Sequence, residues 1–320
     1  MNIMNNGAIG SLPQRKSEGQ IRSRDLRKLA ARAALLAVSV VLVGFGVIGW
    51  VGSERAIHPN AAVYSRSLAD YPDLHPEEIS FPSRTHIMIR GRFFSGVRTV
   101  TLALSHGYGD NQEQMLPYAE FLHRAGYSVL TYDMRNRGHS GGEAVTLGAL
   151  EQLDLISAVN YLTTRGDVDP SKIGALGLSL GASTTLLAAA QDPRIKAVVD
   201  DSGFSDATEV VASSFEHFVG LSAFPFAAIT ISISEWRTGV DIKSIRPVDV
   251  VARISPRHLF IIHCLGDTIV PLENSKRTFA AARAPKQVWW VQTGGHIDGH
   301  VVEREEYERR VTKFFDAAFR

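Results

Sequence analysis

Residues 173–191 read IGALGLSLGASTTLLAAAQ. The first six, Ile173–Leu178, form an apolar run of strand length, and Ala182–Ala190 are small or aliphatic residues that suit a buried helix. Between the two lies Gly177-Leu178-Ser179-Leu180-Gly181. A chain that turns sharply from strand into helix has little room, and glycines on either side of the turn let backbones approach closely. The serine is thereby raised above the sheet edge at a helix N-terminus, where the backbone N–H groups favour a developing negative charge. A serine that merely caps an ordinary helix is the plainer alternative. The strand entering and the helix leaving favour a nucleophile.

Outward from this turn the same alternation continues. Strands are expected over 85–94, 99–105, 127–132, around 197–199, 259–264 and 287–291. Helices are expected over 112–125, 147–164, 180–191, 274–282 and 303–319. Strands alternating with helices imply an α/β fold whose mostly parallel central sheet is covered by helices on both faces. One stretch interrupts the rhythm: residues 203–247 place about forty residues between two expected strands, a length that suits a helical lid insertion.

Four further motifs stand at the ends of these strands. His106-Gly107 follows one strand, and residues 133–140 (DMRNRGHS) follow the next. Residues 263–271 (HCLGDTIVP) carry Asp267, and residues 293–296 (TGGH) end in His296. With the serine turn these motifs make residues 78–320 resemble the α/β-hydrolase superfamily, and most of all the bacterial serine hydrolases related to esterases and to prolyl-oligopeptidase-type domains. The resemblance implies a Ser-His-Asp triad in the chain order serine, acid, histidine. Ser179 would be the nucleophile, Asp267 the acid and His296 the base, with Asp201 in reserve as acid beside Asp200 and His300 the rival base. It also implies an oxyanion hole built from the backbone N–H groups of Leu180 and Tyr108. Asp133, Arg135, Gly138 and Ser140 resemble a structural motif. His106 belongs to the oxyanion loop, His139 to a turn and His263 to a buried strand, so none of the three needs to be catalytic.

Composition narrows the classes. The 320 residues are 45% hydrophobic and 21% charged, enough to bury a large core, and the net charge of +1 argues against a nucleic-acid binder working by bulk basicity. The lone Cys264 excludes an intrachain disulfide framework and a zinc site built on several thiolates; in a buried apolar strand it suits packing. No phosphate loop, metal-spaced histidine pair or dinucleotide fingerprint occurs, so no cofactor is implied.

The even balance hides an asymmetry, because residues 1–32 carry a net charge of +5 and the rest −4. Directly after them, residues 33–52 (AALLAVSVVLVGFGVIGWVG) hold no charge over twenty residues, enough for one transmembrane helix. A basic leader prefers the cytoplasm, which puts residues after 53 outside. A cleaved signal peptide is the alternative, disfavoured by the length of the apolar run and a poor cleavage site at 51–53. The expected organisation is a basic cytoplasmic tail over 1–32 whose residues 1–20 are disordered, the span over 33–52, a tether over 53–77 and the hydrolase domain over 78–320.

The function these readings predict is a membrane-held serine hydrolase acting on a small-molecule carboxylic ester through an acyl-enzyme. A peptidase or thioesterase is the alternative within enzymes, although nothing resembles the β-propeller that gates oligopeptidases. A non-catalytic binding protein on the same scaffold is the other. The insertion holds four phenylalanines over 215–226. It is expected to wall an acyl pocket with Phe218 and Phe224.

Overall fold

The computed structural model describes residues 16–60, 67–220 and 222–320, leaving aside the side chains of residues 16–23, 216, 218 and 219. It falls into two compact units divided between Ile48 and Gly49. Helix α1 spans Lys16–Ile57, and its Arg24–Ile57 part is long and apolar enough to cross a membrane. Between Arg24 and Val47 its leucines and valines, Leu35, Leu36 and Val40 among them, are exposed. The expected disordered tail lies outside the described residues up to 15, whereas 16–20 begin α1. The helix also outruns the expected span by five residues, to Ile57.

The second unit is built on an eight-stranded sheet. Its strands are β1 Glu77–Pro82, β2 Met88–Phe94, β3 Thr101–Ser105, β4 Ser128–Tyr132, β5 Ile173–Leu178, β6 Ile195–Asp201, β7 His258–Cys264 and β8 Lys286–Val291. They lie in the order β1-β2-β4-β3-β5-β6-β7-β8. β1 pairs antiparallel with β2 and β2 with β4, while all pairs from β4 to β8 are parallel. Central strands β3, β4 and β5 are buried at every residue, as continuous apolar runs between two helical layers should be.

Helices α2 Leu116–Arg124, α3 Glu151–Thr164, α4 Leu180–Gln191, α5 Ala207–Val219, α6 Ala223–Thr238, α7 Pro247–Val250, α8 Glu273–Ala281, α9 Gly299–Val302 and α10 Arg304–Ala318 complete the unit. Leu155, Val159 and Leu186 from α3 and α4 fill the core on one face of the sheet. Leu116, Leu122, Tyr307, Val311 and Phe314 from α2 and α10 fill it on the other.

Two differences from the sequence reading matter. β1 is an added edge strand whose exposure alternates, with Ile79 and Phe81 turned inward. The stretch expected as a tether is partly structured, with 61–66 outside the described residues. Its Tyr71 and Leu74 are buried in the α2–α10 layer. Neither residue belongs to a periodic run, so neither carried a signal.

Candidate active site

β5 delivers Ser179 at the sheet's C-terminal edge, in a positive-φ conformation (φ 53°, ψ −115°) that costs strain for a residue with a Cβ. The surroundings hold it there. Ser179 N–H donates to the Asp201 carbonyl at 2.8 Å, and Ser183 N–H donates to the Ser179 carbonyl at 3.1 Å. The flanking glycines explain the Gly-x-Ser-x-Gly spacing. A Cβ on Gly177 would collide with the Gly181 backbone, and one on Gly181 with the Ser105 and His106 carbonyls. The second collision shows that the loop after β3 lies against the start of α4.

His296 joins the other two sequence-predicted residues. Its Nε2 lies 2.7 Å from Ser179 Oγ and its Nδ1 2.7 Å from Asp267 Oδ2. The other carboxylate oxygen of Asp267 accepts the N–H groups of Ile269 and Val270, each at 2.9 Å, which fixes its orientation. The acid and base loops touch through glycines, since a Cβ on Gly266 would come within 2.6 Å of the Gly294 carbonyl. Asp298 accepts the Gly295 N–H at 2.8 Å and so shapes the turn that presents the imidazole. An imidazole held between a carboxylate and a hydroxyl can take the hydroxyl proton and stabilise the charge it acquires.

The reserve candidates are engaged elsewhere. The Asp201 carboxylate accepts Tyr307 O–H at 2.9 Å and Ser202 O–H at 3.0 Å. His300 is stacked among Tyr118, Phe121 and Tyr307, with Nε2 3.3 Å from Glu308. His106 is fully buried and accepts the Met134 N–H on Nε2 at 3.0 Å, which leaves Nδ1 to donate to the Gly107 carbonyl at 2.8 Å. Burial, with Arg137 nearby, pulls its pKa down to about 4, so it stays neutral and supports the loop. Asp133 accepts the N–H groups of Gln112 and His139, each at 2.8 Å, and Arg135 grips Asp154 through two nitrogens. Burial pushes the Cys264 thiol up to about 12, as suits inert packing.

Leu180 N–H is the first of α4 and has no intrahelical partner, and Tyr108 follows the Ser105–His106 backbone that lies against Gly181. Both expected oxyanion donors therefore belong to segments that meet at the serine. His263 carries a part that its buried-strand position had hidden. Its Nε2 lies 3.0 Å from the Val270 carbonyl and 3.4 Å from Asp267 Oδ2, while Ser275 O–H lies 2.7 Å from Nδ1. Burial lowers its pKa, so a neutral ring backs the acid. The spacing His263-x-x-x-Asp267 was the available signal.

The insertion is arranged differently from its expected role. Phe224 is 80% exposed, at a non-helical position just before Pro225 inside α6. The side chain of Phe218 lies outside the described residues. Among the insertion's buried positions, Phe215, Thr230 and Ser234 meet Gly52 and Ser53 of α1, and Ile231 joins the core.

Sheet order, helical layers and the serine turn define the α/β-hydrolase fold. The chain belongs to the prolyl oligopeptidase family, whose model matches residues 114–320. It is 28% identical to the uncharacterised protein YqkD of Bacillus subtilis, over 68% of this chain and 71% of that one. An esterase of Pyrococcus furiosus shares the fold with a TM-score of 0.70 at 23% identity, over 83% of this chain and 99% of that chain. An acylaminoacyl peptidase of Pyrococcus horikoshii does so with a TM-score of 0.58 at 16% identity, over 76% of this chain and 41% of that chain. The fold and family make the protein a hydrolase.

Proposed function

We propose that this hydrolase cleaves carboxylic esters of small molecules through a serine acyl-enzyme. The observation that carries the reading is the chain of two 2.7 Å hydrogen bonds from Asp267 through His296 to Ser179. Ser179 Oγ attacks the acyl carbon as its proton passes to His296 Nε2. The N–H groups of Leu180 and Tyr108 hold the oxyanion. His296 then protonates the departing alcohol, and the serine ester forms. Water, deprotonated by the same imidazole, attacks this ester and releases the acid. Asp267 holds the tautomer that keeps Nε2 free to accept.

The chain is held in a membrane by the apolar part of α1, with residues 1–32 in the cytoplasm and the hydrolase domain outside. The basic leader and the exposed aliphatic surface of that helix support this reading. A peptidase is the second reading, favoured by the family and by the acylaminoacyl peptidase among the structural neighbours.

Fluorophosphonate labelling, followed by turnover of matched ester, thioester and aminoacyl-amide panels, tests the choice. Labelling lost in Ser179→Ala together with ester turnover supports the proposal. Turnover confined to aminoacyl amides would make the protein a peptidase, and no label at Ser179 would leave neither reading standing.

A further inference from the structure

The C-terminal turn of a helix leaves carbonyls without intrahelical partners, to be met by water or by donors from elsewhere in the protein. At the end of α1 the hydrolase supplies them. Tyr108 O–H donates to the Arg55 carbonyl at 2.5 Å, with the Ala56 carbonyl 3.2 Å away. Val145 N–H donates to the Ile57 carbonyl at 2.8 Å and Asn136 Nδ2 reaches it at 3.2 Å. Arg137 continues the pattern, donating to the Pro59 carbonyl at 2.7 Å and the Asn60 carbonyl at 3.3 Å. The same guanidinium donates to the carbonyls of Gly109 and Asp110, so one side chain ties residues 59–60 to the loop that carries Tyr108.

One turn earlier the helix meets α6 on small residues. A Cβ on Gly49 would run into Ile229, and one on Gly52 into Thr230, with Phe215 3.1 Å away. Buried Ser53 lies 3.0 Å from Ser234 Oγ. Arg237 pairs with Glu54 at 2.5 Å and lies 4.7 Å from the centre of the Trp50 ring.

We propose that residues 49–60 form a clamp within the hydrolase, pinning lid helix α6 and the oxyanion loop to each other, with the Tyr108 hydroxyl as the positioning group. The backbone N–H of Tyr108 belongs to the residue whose side chain the clamp holds. Loosening the clamp therefore displaces a donor that acts on the transition state, and kcat falls while KM holds. This inference rests on the proposed ester hydrolysis for its kinetic arm only.

The test uses the full chain in detergent, with a site for a specific protease placed at 61–66. In the wild type, the two pieces co-elute after cutting and keep the uncut rate. Gly52→Leu wedges α1 from α6, so its pieces separate and the rate drops. In the uncut chain, Tyr108→Phe removes only the hydroxyl. Its kcat is expected to fall about tenfold with KM within twofold and an unchanged melting temperature. Separation of the wild-type pieces, or full kcat in Tyr108→Phe, would overturn the clamp. Absence of Ser179-dependent turnover in the wild type would instead overturn the functional reading, while co-elution still judges the clamp.

Discussion

The serine turn and the lid insertion are both apolar, and the molecule uses their side chains in opposite ways. At the turn, every residue of β5 and most of α4 are buried, and the glycines stand where backbone meets backbone. In the insertion, the bulky Phe224 and Trp236 face outward at 80% and 76% exposure. The buried face of α6 is built largely from Ala227, Thr230, Ile231 and Ser234, at the three- and four-residue spacing of one helix stripe. Gly49, Gly52 and Ser53 on α1 meet Ile229, Thr230 and Ser234 on α6, and the small residues on α1 let the two helices lie close. Size is thus a poor guide to which side of a lid helix is its inner side.

The comparison can be broken most sharply at the chemistry. Ser179→Ala and His296→Ala are expected to lower ester kcat/KM by about 10⁴-fold or more, and Asp267→Asn by about 10³-fold. His300→Ala should stay within a few-fold of wild type, because its ring is packed away from the serine. Steady-state kinetics on a p-nitrophenyl ester measures all four. Loss in His300→Ala with retention in His296→Ala would reverse the base assignment.

The next test concerns stability. Phe215 is buried and touches the clamp, so Phe215→Ala should cost about 3 kcal/mol by the usual loss for a buried phenylalanine. Phe224→Ala should change stability by no more than about 0.5 kcal/mol. Urea unfolding of both variants reads the difference. Equal losses would mean that the exposed face of α6 is covered in solution.

The motifs carrying the site were legible because each is local. The serine turn, the Asp267 loop and the Gly-Gly-His loop each advertise themselves within about ten residues, and their order along the chain matches the resemblance. The sheet's central strands were legible as continuous apolar runs. The lid's inner face was not, since its partner lies about 180 residues upstream and is made of glycine and serine. β1 escaped notice because only Ile79 and Phe81 of its six residues turn inward. The support of Asp267 by His263 escaped because a strand histidine reads as packing until its neighbours are known.

A third prediction separates the buried floor of the site from its open rim. Burial, with the Asp201 charge adding to it, pushes Asp200 up to about 7. One of its oxygens accepts Gly203 N–H at 2.9 Å, and the other is buried with no hydrogen-bond partner among the described residues. A carboxyl with a raised folded-state pKa stabilises the fold fully below its unfolded value of about 3.9, and that contribution is lost as pH rises through the folded pKa. This group alone therefore takes away at most about 4 kcal/mol of stability between about pH 4 and about pH 7. Asp200→Asn keeps the acceptor for Gly203 and should flatten that part of the profile. Melting temperatures from pH 4 to 8 decide it, and identical slopes would remove Asp200 as the cause.

The smallest expected effect lies on the rim. With Phe224 exposed, the ester series from two to ten carbons should show the same chain-length preference in Phe224→Ala as in the wild type, within about twofold. A preference that collapses in the variant would bring Phe224 back over the serine during turnover.

Chain order gives the site a timetable. Ser179 is synthesised well before Asp267 and His296, and helix α10 follows both. Tyr307 of that helix bonds the Asp201 carboxylate, and the Asp201 carbonyl in turn holds the Ser179 N–H. A nascent chain that has already made its serine turn still lacks the imidazole, the strand that leads to it and the tyrosine that steadies its floor. Serine and imidazole lie 117 residues apart, so the pair assembles only after both stretches have been made.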